Sequence, residues 1–275
     1  MRKRFEELFP GGKPLIGVVH LPPLPGSPRY GGSMDAVARR ALADAGAYAG
    51  GGAKGIIVEN FGDYPFPPGR SEPQAIAAMA SVLTLLRAAW PKMVFGVNVL
   101  RNDAQSAIGV AHAAGGRFIR VNVHTGAVLT DQGLIEGRAD ETLRFRRRIG
   151  ADDVLIFADI NVKHGAALRE RDLRVVARET VARGMADGLI VTGRETGSAL
   201  DIRDARLVKS AIRAPLLAGS GVTVENVAEI LPSVDGLIVG TSLKRGGRTE
   251  NPVDAARVKR LVKAMGQGAR GKGKR

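Results

Sequence analysis

Short apolar segments alternate with longer amphipathic segments along the chain. The short segments are rich in β-branched residues and predict eight strands, at 15–21, 55–59, 93–100, 118–124, 154–162, 188–192, 215–219 and 236–240. Apolar residues spaced by three and four predict helices at 34–49, 72–90, 103–114, 140–149, 168–185, 201–212, 224–231 and 253–265. Ser33, Asp201 and Thr223 are the expected N-caps of three of these helices.

Nearly continuous apolar strands that alternate with helices predict a parallel sheet covered by helices. The count of eight units selects a single (β/α)8 TIM barrel over residues 1–266. The alternative is a doubly wound Rossmann sheet, whose glycine-rich fingerprint would follow the first strand. Here that strand is followed by Pro22, Pro23, Pro25 and Pro28, and proline has no amide to donate to a pyrophosphate.

The amino-acid composition limits the side chains that can serve as reactive groups or metal ligands. None of the 275 residues is a cysteine, which excludes disulfide scaffolds, thiolate-bound zinc, cysteine-bound iron–sulfur clusters and a cysteine nucleophile. The 44% of hydrophobic residues and 25% of charged residues are typical of a globular protein. Reactive groups must therefore come from carboxylates, histidine and lysine.

The charge is strongly basic, with 41 Lys and Arg against 27 Asp and Glu, a net charge of +14. Such a balance points to nucleic acid, an anionic membrane or phosphorylated metabolites as partners. Residues 267–275 form a basic, glycine-rich tail that we expect to be disordered. The remaining charge is spread over helices and no nucleic-acid-binding motif occurs, so specific nucleic-acid binding is not expected. Without an apolar run of ~20 residues or a secretory signal, a cytoplasmic location is predicted.

Polar residues occupy the predicted carboxyl ends of the strands, where barrels of this kind place their working groups. The candidate catalytic residues are Glu59, Asp159, Lys163, His20 and His124. The candidate substrate-positioning residues are Asn60, Asn98, Asn122, Asn161 and Thr192. Alternation along a strand places Arg120, Asn122 and His124 on one face. The other interpretation is that these side chains pair with one another as a polar plug.

Two chemistries stay open at these positions. Lys163 could form a Schiff base if its pKa were lowered, or it could contact an anion. A divalent metal is the possible cofactor, with His20, Glu59, His124 and Asp159 as candidate ligands.

The last two strands end in glycine-rich turns. The candidate phosphate-binding residues in these turns are Gly219, Ser220, Gly221, Gly240, Thr241 and Ser242. Glycine lets backbone amides approach an anion, hydroxyls add donors, and phosphate-binding barrels use the loops after these two strands. A phosphorylated small molecule is therefore the predicted partner. The alternative is that the glycines only permit tight turns.

Several segments resemble the BtpA/SgcQ family. They are GVVHLPPLPGSP at 17–28, VENFGDYPF at 58–66, DINVKH at 159–164 and the two glycine turns, and the resemblance covers residues 15–264. It implies a TIM barrel similar to the ribulose-phosphate-binding barrels. One branch of the family is associated with photosystem I biogenesis at the thylakoid membrane, and another lies among sugar-uptake genes. The resemblance supplies candidate site positions rather than a reaction.

Three functions are compatible with these features. The first is an enzyme, a lyase, isomerase or hydrolase, that uses strand-end carboxylates on a phosphorylated sugar or nucleotide-like metabolite. The second is a non-catalytic assembly factor that docks on a peripheral site of a membrane complex. The third, nucleic-acid binding by the tail, rests on charge alone. Barrels of this type often self-associate, so a homo-oligomer is expected.

Overall fold

The computed structural model describes residues 1–160, 165–167, 171–193 and 200–270. The strands within these ranges are β1 Leu15–His20, β2 Gly55–Glu59, β3 Val94–Asn98, β4 Phe118–Val121, β5 Ala127–Thr130, β6 Gly133–Glu136, β7 Leu155–Asp159, β8 Gly165–Ala167, β9 Gly188–Val191, β10 Leu216–Ala218 and β11 Gly236–Val239. The helices are α1 Arg2–Leu8, α2 Met34–Gly51, α3 Pro73–Ala89, α4 Ala104–Ala114, α5 Ala139–Arg148, α6 Leu173–Ala182, α7 Ile202–Ala211, α8 Val227–Ile230 and α9 Ala255–Arg270.

Eight parallel strands close into a barrel in the order β1, β2, β3, β4, β7, β9, β10, β11. The ring closes where β11 pairs with β1, with Leu237 opposite Leu15. The predicted (β/α)8 barrel is therefore confirmed, and each predicted strand has a counterpart in the ring. The Rossmann alternative is excluded, because a doubly wound sheet is open at both edges.

The barrel interior is filled from its amino-terminal end to about half its height by apolar side chains. Residues at alternate positions of each strand point to the axis, while their neighbours pack outward against the helices. The inward cluster contains Ile16, Val18, Ile57, Phe118, Leu155, Phe157, Ile190, Leu217 and Ile238. The next inward positions toward the carboxyl ends are polar, so the sequence alternation leads directly to a polar layer above an apolar one.

Helix α1, which the sequence pattern did not predict, closes the amino-terminal end of the barrel. Its Phe5 and the following Phe9 are buried and belong to the inner cluster. The Phe5 ring lies 6.0 Å from that of Phe157, and the Phe9 ring lies 6.3 Å from that of Phe118. Four aromatic rings thus seal the floor, so access to the interior is from the opposite end.

A small antiparallel sheet combines a hairpin inserted between β4 and α5 with a strand that follows β7. Strands β5 and β6 form a hairpin around Asp131 and Gln132, and β8 pairs with β5 on its other side. Two short apolar segments, 127–129 and 134–135, on either side of Asp131, Gln132 and Gly133 are the signal that could have predicted this hairpin. The insertion brings the hairpin turn over the carboxyl end of the barrel.

Helix boundaries agree with the caps in two of three cases. The Ser33 hydroxyl accepts from the Ala36 amide at the start of α2, and the Asp201 carboxylate accepts from the Arg203 amide at the start of α7. The third cap is wrong, because α8 begins only at Val227 and Asn226 is its N-cap. Helix α9 continues to Arg270, so residues 267–270 of the predicted tail are helical and 271–275 lie outside the described residues.

Among the described residues, none of the helices has both the length and the apolar character needed to cross a bilayer.

Candidate functional site

A cavity of about 820 Å³ opens at the carboxyl ends of the barrel strands. Its lining includes eleven of the candidate site residues named from the sequence: His20, Glu59, Asn98, Asn122, Asp159, Gly219, Ser220, Gly221, Gly240, Thr241 and Ser242. Its size lies in the upper part of the ~300–1,000 Å³ range of small-molecule sites. Strand-end residues from all round the ring therefore face a single space.

Glu59 at the end of β2 stands between two neighbouring strand ends. Its Oε2 accepts a hydrogen bond of 2.6 Å from Asn98 Nδ2 on β3. Its Oε1 lies 3.8 Å from His20 Nε2 on β1, which is longer than a hydrogen bond. The carboxylate is only 6% exposed. One oxygen is thus fixed by an amide, while the other faces an imidazole and the cavity.

Asp159 at the end of β7 is held much more firmly. Arg120 of β4 donates to both carboxylate oxygens at 3.0–3.3 Å, and Asn122 Nδ2 donates at 2.8 Å. Burial opposes the charge of Arg120, but the carboxylates of Asp159 and Glu59 outweigh it and raise the pKa of Arg120. This pair is therefore a fixed ionic element of the cavity wall.

Arg101 and Asp131 also line the cavity and were missed by the sequence analysis. Burial lowers the pKa of Arg101, while the carboxylates of Asp131, Asp159 and Glu59 oppose that effect. Arg101 directly follows the predicted strand at 93–100 but was not singled out, and Asp131 comes from the β5–β6 hairpin, which was not predicted. The cavity consequently contains arginines interleaved with carboxylates.

The turn after β10 is braced from both sides. Ser220 Oγ accepts a 2.9 Å hydrogen bond from the Gly193 amide. Asn226 accepts from the Thr223 amide and donates to the Gly221 carbonyl, at 2.8 and 2.7 Å. Gly221 has a φ of 66°, a left-handed conformation that favours glycine. The turn is thus rigid and presents its backbone to the cavity.

The turn after β11 packs directly against the turn after β10. Ser242 Oγ donates to the Val222 carbonyl at 2.7 Å, and the Thr241 and Thr249 hydroxyls lie 2.9 Å apart. Arg257, in the first turns of α9, donates to the Ser242 carbonyl at 3.2 Å and lines the cavity. Arg257 was also missed, because only the fold brings α9 to this turn. We refer to residues 219–223 and 240–242 as the glycine turns.

The position of His20 explains why Gly240 lacks a side chain. A Cβ atom on Gly240 would lie 2.6 Å from His20 Cε1, a distance that real structures do not tolerate. Gly240 therefore lets the last strand end in van der Waals contact with the imidazole. His20 also contacts Phe61, with ring centroids 5.0 Å apart.

Three aromatic residues of the loop after β2 form one side of the cavity, and we call Phe61, Tyr64 and Phe66 the aromatic wall. The Phe61 and Tyr64 rings are 6.4 Å apart, and the Tyr64 and Phe66 rings are 6.5 Å apart. Tyr64 is 39% exposed, and the Arg29 guanidinium lies 4.6 Å from its ring centroid. The wall therefore extends from His20 toward the mouth of the cavity.

Asn60 does not belong to the cavity lining, which corrects its assignment as a substrate-positioning residue. Its Oδ1 accepts from the Leu100 amide at 2.7 Å, and its Nδ2 donates to Asp63 at 3.1 Å. Asp63 accepts in turn from the Leu24 amide at 2.7 Å, and burial raises the pKa of Asp63. Asn60 is therefore a structural residue that joins its loop to the loop after β3, and Asp63 joins the same loop to the loop after β1.

His124 also lies outside the cavity lining, contrary to its predicted catalytic role. Strand β4 ends at Val121, so the alternation that places Arg120 and Asn122 inside does not continue to His124. Its Nε2 is 2.7 Å from the Gly184 carbonyl, and burial lowers the pKa of His124. The side chain packs against the segment between α6 and β9.

The proposed four-residue metal site is not assembled. His20 and Glu59 are adjacent, but Asp159 is paired with Arg120 and His124 points elsewhere. Over the described part of the chain, no three His, Asp or Glu side chains are grouped so that they could hold a metal ion.

The remaining predicted site residues are Thr192, Asn161 and Lys163, and a further lysine, Lys244, lies after the second glycine turn. Thr192 is buried against Gly219, where a Cβ would lie 2.9 Å from Thr192 Cγ2, and it does not line the cavity. Asn161 and Lys163 lie outside the described residues. Lys244 follows the second glycine turn but is fully buried, with its ammonium 3.1 Å from Asp44 on α2. Lys244 therefore anchors this turn to the helix layer.

A closed barrel of eight parallel strands with a polar cavity at their carboxyl ends defines a protein of the (β/α)8 TIM-barrel class. Thiamine phosphate pyrophosphorylase from Pyrococcus furiosus is similar in structure, with a TM-score of 0.59, 14% identity and coverage of 93% of this chain and 96% of that one. The chain belongs to the BtpA family, whose sequence profile matches residues 11–267.

Two further comparisons define the range of similarity. The photosystem I biogenesis protein BtpA of Synechocystis is 45% identical over 97% of this chain and 92% of its own length. The structure of a 3-hexulose-6-phosphate synthase has a TM-score of 0.58 and 16% identity, and covers 92% of this chain and 99% of that one. The first similarity shows the family, and the second shows the fold alone.

Proposed function

We propose that this protein is an enzyme that binds a phosphorylated sugar or nucleotide-like metabolite and acts on it by acid/base chemistry. The observation that carries the proposal is the single cavity in which the glycine turns and Arg257 face the carboxylates of Glu59 and Asp159. Two barrels of similar structure, thiamine phosphate pyrophosphorylase and 3-hexulose-6-phosphate synthase, are named after phosphorylated compounds. The substrate class is thus in keeping with the fold.

The phosphate end of the site is assigned to the glycine turns. The backbone amides of residues 220–222 and 240–242 are donors of the kind that a phosphate requires, whereas the Gly219 amide donates to the Val191 carbonyl and the Thr223 amide donates to Asn226. Arg257 adds a guanidinium beside Ser242, and a guanidinium can bind phosphate oxygens in bidentate fashion. The bracing by Asn226 keeps the turn in place before the ligand arrives, which reduces the entropy cost of binding.

Proton transfer is assigned to Glu59. The two oxygens of Asp159 are occupied by Arg120 and Asn122, so that carboxylate stabilises the site rather than exchanging a proton. Glu59 accepts from Asn98 through one oxygen only, and His20 stands 3.8 Å from the other. A group that transfers protons must be within hydrogen-bond reach of the substrate, and Glu59 faces the cavity.

The experiment is a ligand screen on the full chain by thermal shift, with sugar phosphates, nucleotides and divalent metals, followed by titration calorimetry of the compounds that stabilise it. Stabilisation by one phosphorylated class supports the proposal. Ser220→Asp should abolish this binding, because it puts a negative charge into the turn. Glu59→Gln should retain binding and lose turnover, and silence across the whole panel would refute the proposal.

Arg257 offers a matched control for the phosphate assignment. Arg257→Ala removes a cation that lines the cavity, whereas Arg260→Ala removes an exposed cation from the same helix. Both variants change the net charge equally. We expect a loss of affinity of about tenfold or more for Arg257→Ala, in line with a charged hydrogen bond, and little change for Arg260→Ala. Equal losses would mean that only the overall charge attracts the ligand.

A second candidate function is a non-catalytic role in the biogenesis of a membrane protein complex. It is favoured by the 45% identity to the photosystem I biogenesis protein BtpA over almost the whole chain. Wild-type function retained in a cell by a Glu59→Gln, Ser220→Asp double variant would favour this role over the enzyme.

A further inference from the structure

We infer that the metabolite carries a planar aromatic ring in addition to its phosphate, as a nucleoside monophosphate does. This inference rests on the proposed function and deepens it, because it names the class of ligand for the same cavity. It is carried by the aromatic wall, which the proposed acid/base chemistry does not use. The ring is assigned to the wall, the phosphate to the glycine turns, and the sugar to the space between them.

The two ends of the site are connected through one side chain. Gly240 touches His20, since a Cβ there would approach the imidazole to 2.6 Å. The His20 ring is in edge contact with Phe61 on its other side, at 5.0 Å between centroids. A ligand whose phosphate lies at the second glycine turn therefore reaches the aromatic wall within the length of one histidine.

The middle of the cavity has the chemistry that a sugar requires. Glu59, Asn98, Asn122 and Asp159 line it, and their oxygens accept hydrogen bonds from hydroxyl groups. They lie at the ends of β2, β3, β4 and β7, and Glu59 stands 3.8 Å from His20, the side chain that connects the glycine turns to the aromatic wall. Hydroxyl groups of a pentose would find acceptors there.

The aromatic wall is poorly explained by packing alone. Aromatic residues make up only 4% of the chain, and Phe5, Phe9, Phe118 and Phe157 are buried at the floor of the barrel. In contrast, Tyr64 is 39% exposed while it lines the cavity. The exposed part of the Tyr64 ring leaves apolar surface in contact with water, and a second flat ring that packs on it removes this surface from water. Stacking of a base on such a ring supplies that cover.

The size of the cavity agrees with this ligand. At about 820 Å³ the cavity has room for a base and a sugar as well as a phosphate. Arg29 stands over Tyr64 at 4.6 Å and holds the ring in position from the loop after β1.

The test is titration calorimetry on the full chain with ribose 5-phosphate and with AMP, GMP, CMP and UMP. We expect at least one nucleotide to bind about tenfold or more tightly than ribose 5-phosphate, because base stacking on an aromatic side chain is of that order. Tyr64→Leu and Phe66→Leu should remove most of this advantage and leave ribose 5-phosphate binding within about twofold. Tyr64→Phe retains the aromatic ring and should therefore keep the affinity advantage of the nucleotide over ribose 5-phosphate. Phe145→Leu on α5 is the matched control and should change neither affinity.

The outcomes separate the two proposals. Nucleotides that bind no better than ribose 5-phosphate, or an equal loss of both ligands in Tyr64→Leu, would overturn the inference and leave the proposed function standing. Failure of every phosphorylated ligand to bind would refute the proposed function and the inference with it. Because Tyr64 is partly exposed, its substitution leaves the core intact, and a melting temperature near that of wild type confirms that the variant is folded.

Discussion

Asn60 and Asp63 share a buried hydrogen bond of 3.1 Å that ties together the loops after three successive barrel strands. Asn60 also accepts from the Leu100 amide after β3, and Asp63 accepts from the Leu24 amide after β1. These bonds fix the loop that carries the aromatic wall. A side chain that looked like a substrate contact in the sequence is thus part of the scaffold beneath the site.

Replacing Asn60 by alanine should destabilise the protein by about 2–4 kcal/mol, because it leaves the Leu100 amide and one Asp63 oxygen buried without partners. Urea denaturation measures this loss of unfolding free energy. Gln105→Ala, which removes a hydrogen bond to Glu141 at the surface, should cost less than about 1 kcal/mol. A stable Asn60→Ala variant with a large loss of ligand affinity would return Asn60 to the binding site.

The sequence pattern predicted the polar layer where strand alternation still holds. Glu59, Asn98, Arg120 and Asp159 occupy inward positions on regular strands, and alternation with apolar neighbours revealed them. The same rule failed for His124, because β4 ends three residues earlier and the chain then turns away from the axis. Alternation carries information only as far as the strand extends.

Other site residues could not be predicted because their positions depend on the closed fold. Arg257 belongs to the last helix and reaches the cavity only because α9 packs beside the final strand. Asp131 arrives on an inserted hairpin, and helix α1 was missed because one short amphipathic turn with two phenylalanines has no distinctive period. Such placements follow from tertiary packing rather than from local sequence.

Gly240→Ala should displace His20 and cost about 1–3 kcal/mol, because the new methyl group would lie 2.6 Å from the imidazole. The measurement is urea denaturation combined with NMR of the histidine ring protons, in which His20 signals should shift. Gly31→Ala is the control, since no atom lies within 4 Å of a Cβ there. The His20→Ala, Gly240→Ala double variant should recover much of the lost stability, and a failure to recover would place the collision elsewhere.

His124 should make the stability of the protein fall in mildly acidic solution. Burial lowers the pKa of His124 below 6.5, an effect that Arg146 reinforces and that the Gly184 carbonyl and Asp187 oppose. As pH falls through 6.5 toward the lowered pKa, the unfolded chain binds a proton that the folded chain does not, so the folded state loses stability. The loss is at most about 1.4 kcal/mol per pH unit.

The comparison that isolates this effect is wild type against His124→Gln in urea denaturation from about pH 7.5 to about pH 5. The advantage of the wild type should shrink as the pH falls, because glutamine does not titrate. A difference between the two proteins that does not change with pH would mean that burial does not lower the pKa of His124.

The last prediction concerns the ion pair of Arg120 and Asp159, whose side chains are only 8% and 2% exposed. Asp159→Leu should cost about 3–5 kcal/mol, because it leaves a buried guanidinium without its carboxylate. Arg120→Met should be costly for the converse reason. The double variant should be more stable than the sum of the single losses predicts, since two apolar side chains require no partner, and the coupling should exceed about 1 kcal/mol.

Arg117 and Asp153 offer a matched control, because they precede the same two strands and carry the same charges. Their side chains are 52% and 55% exposed, and the guanidinium nitrogen lies 3.8 Å from the carboxylate oxygen. Their coupling should stay below about 1 kcal/mol. Since the two pairs differ mainly in burial, equal coupling in both cycles would show that burial does not strengthen the interaction between Arg120 and Asp159.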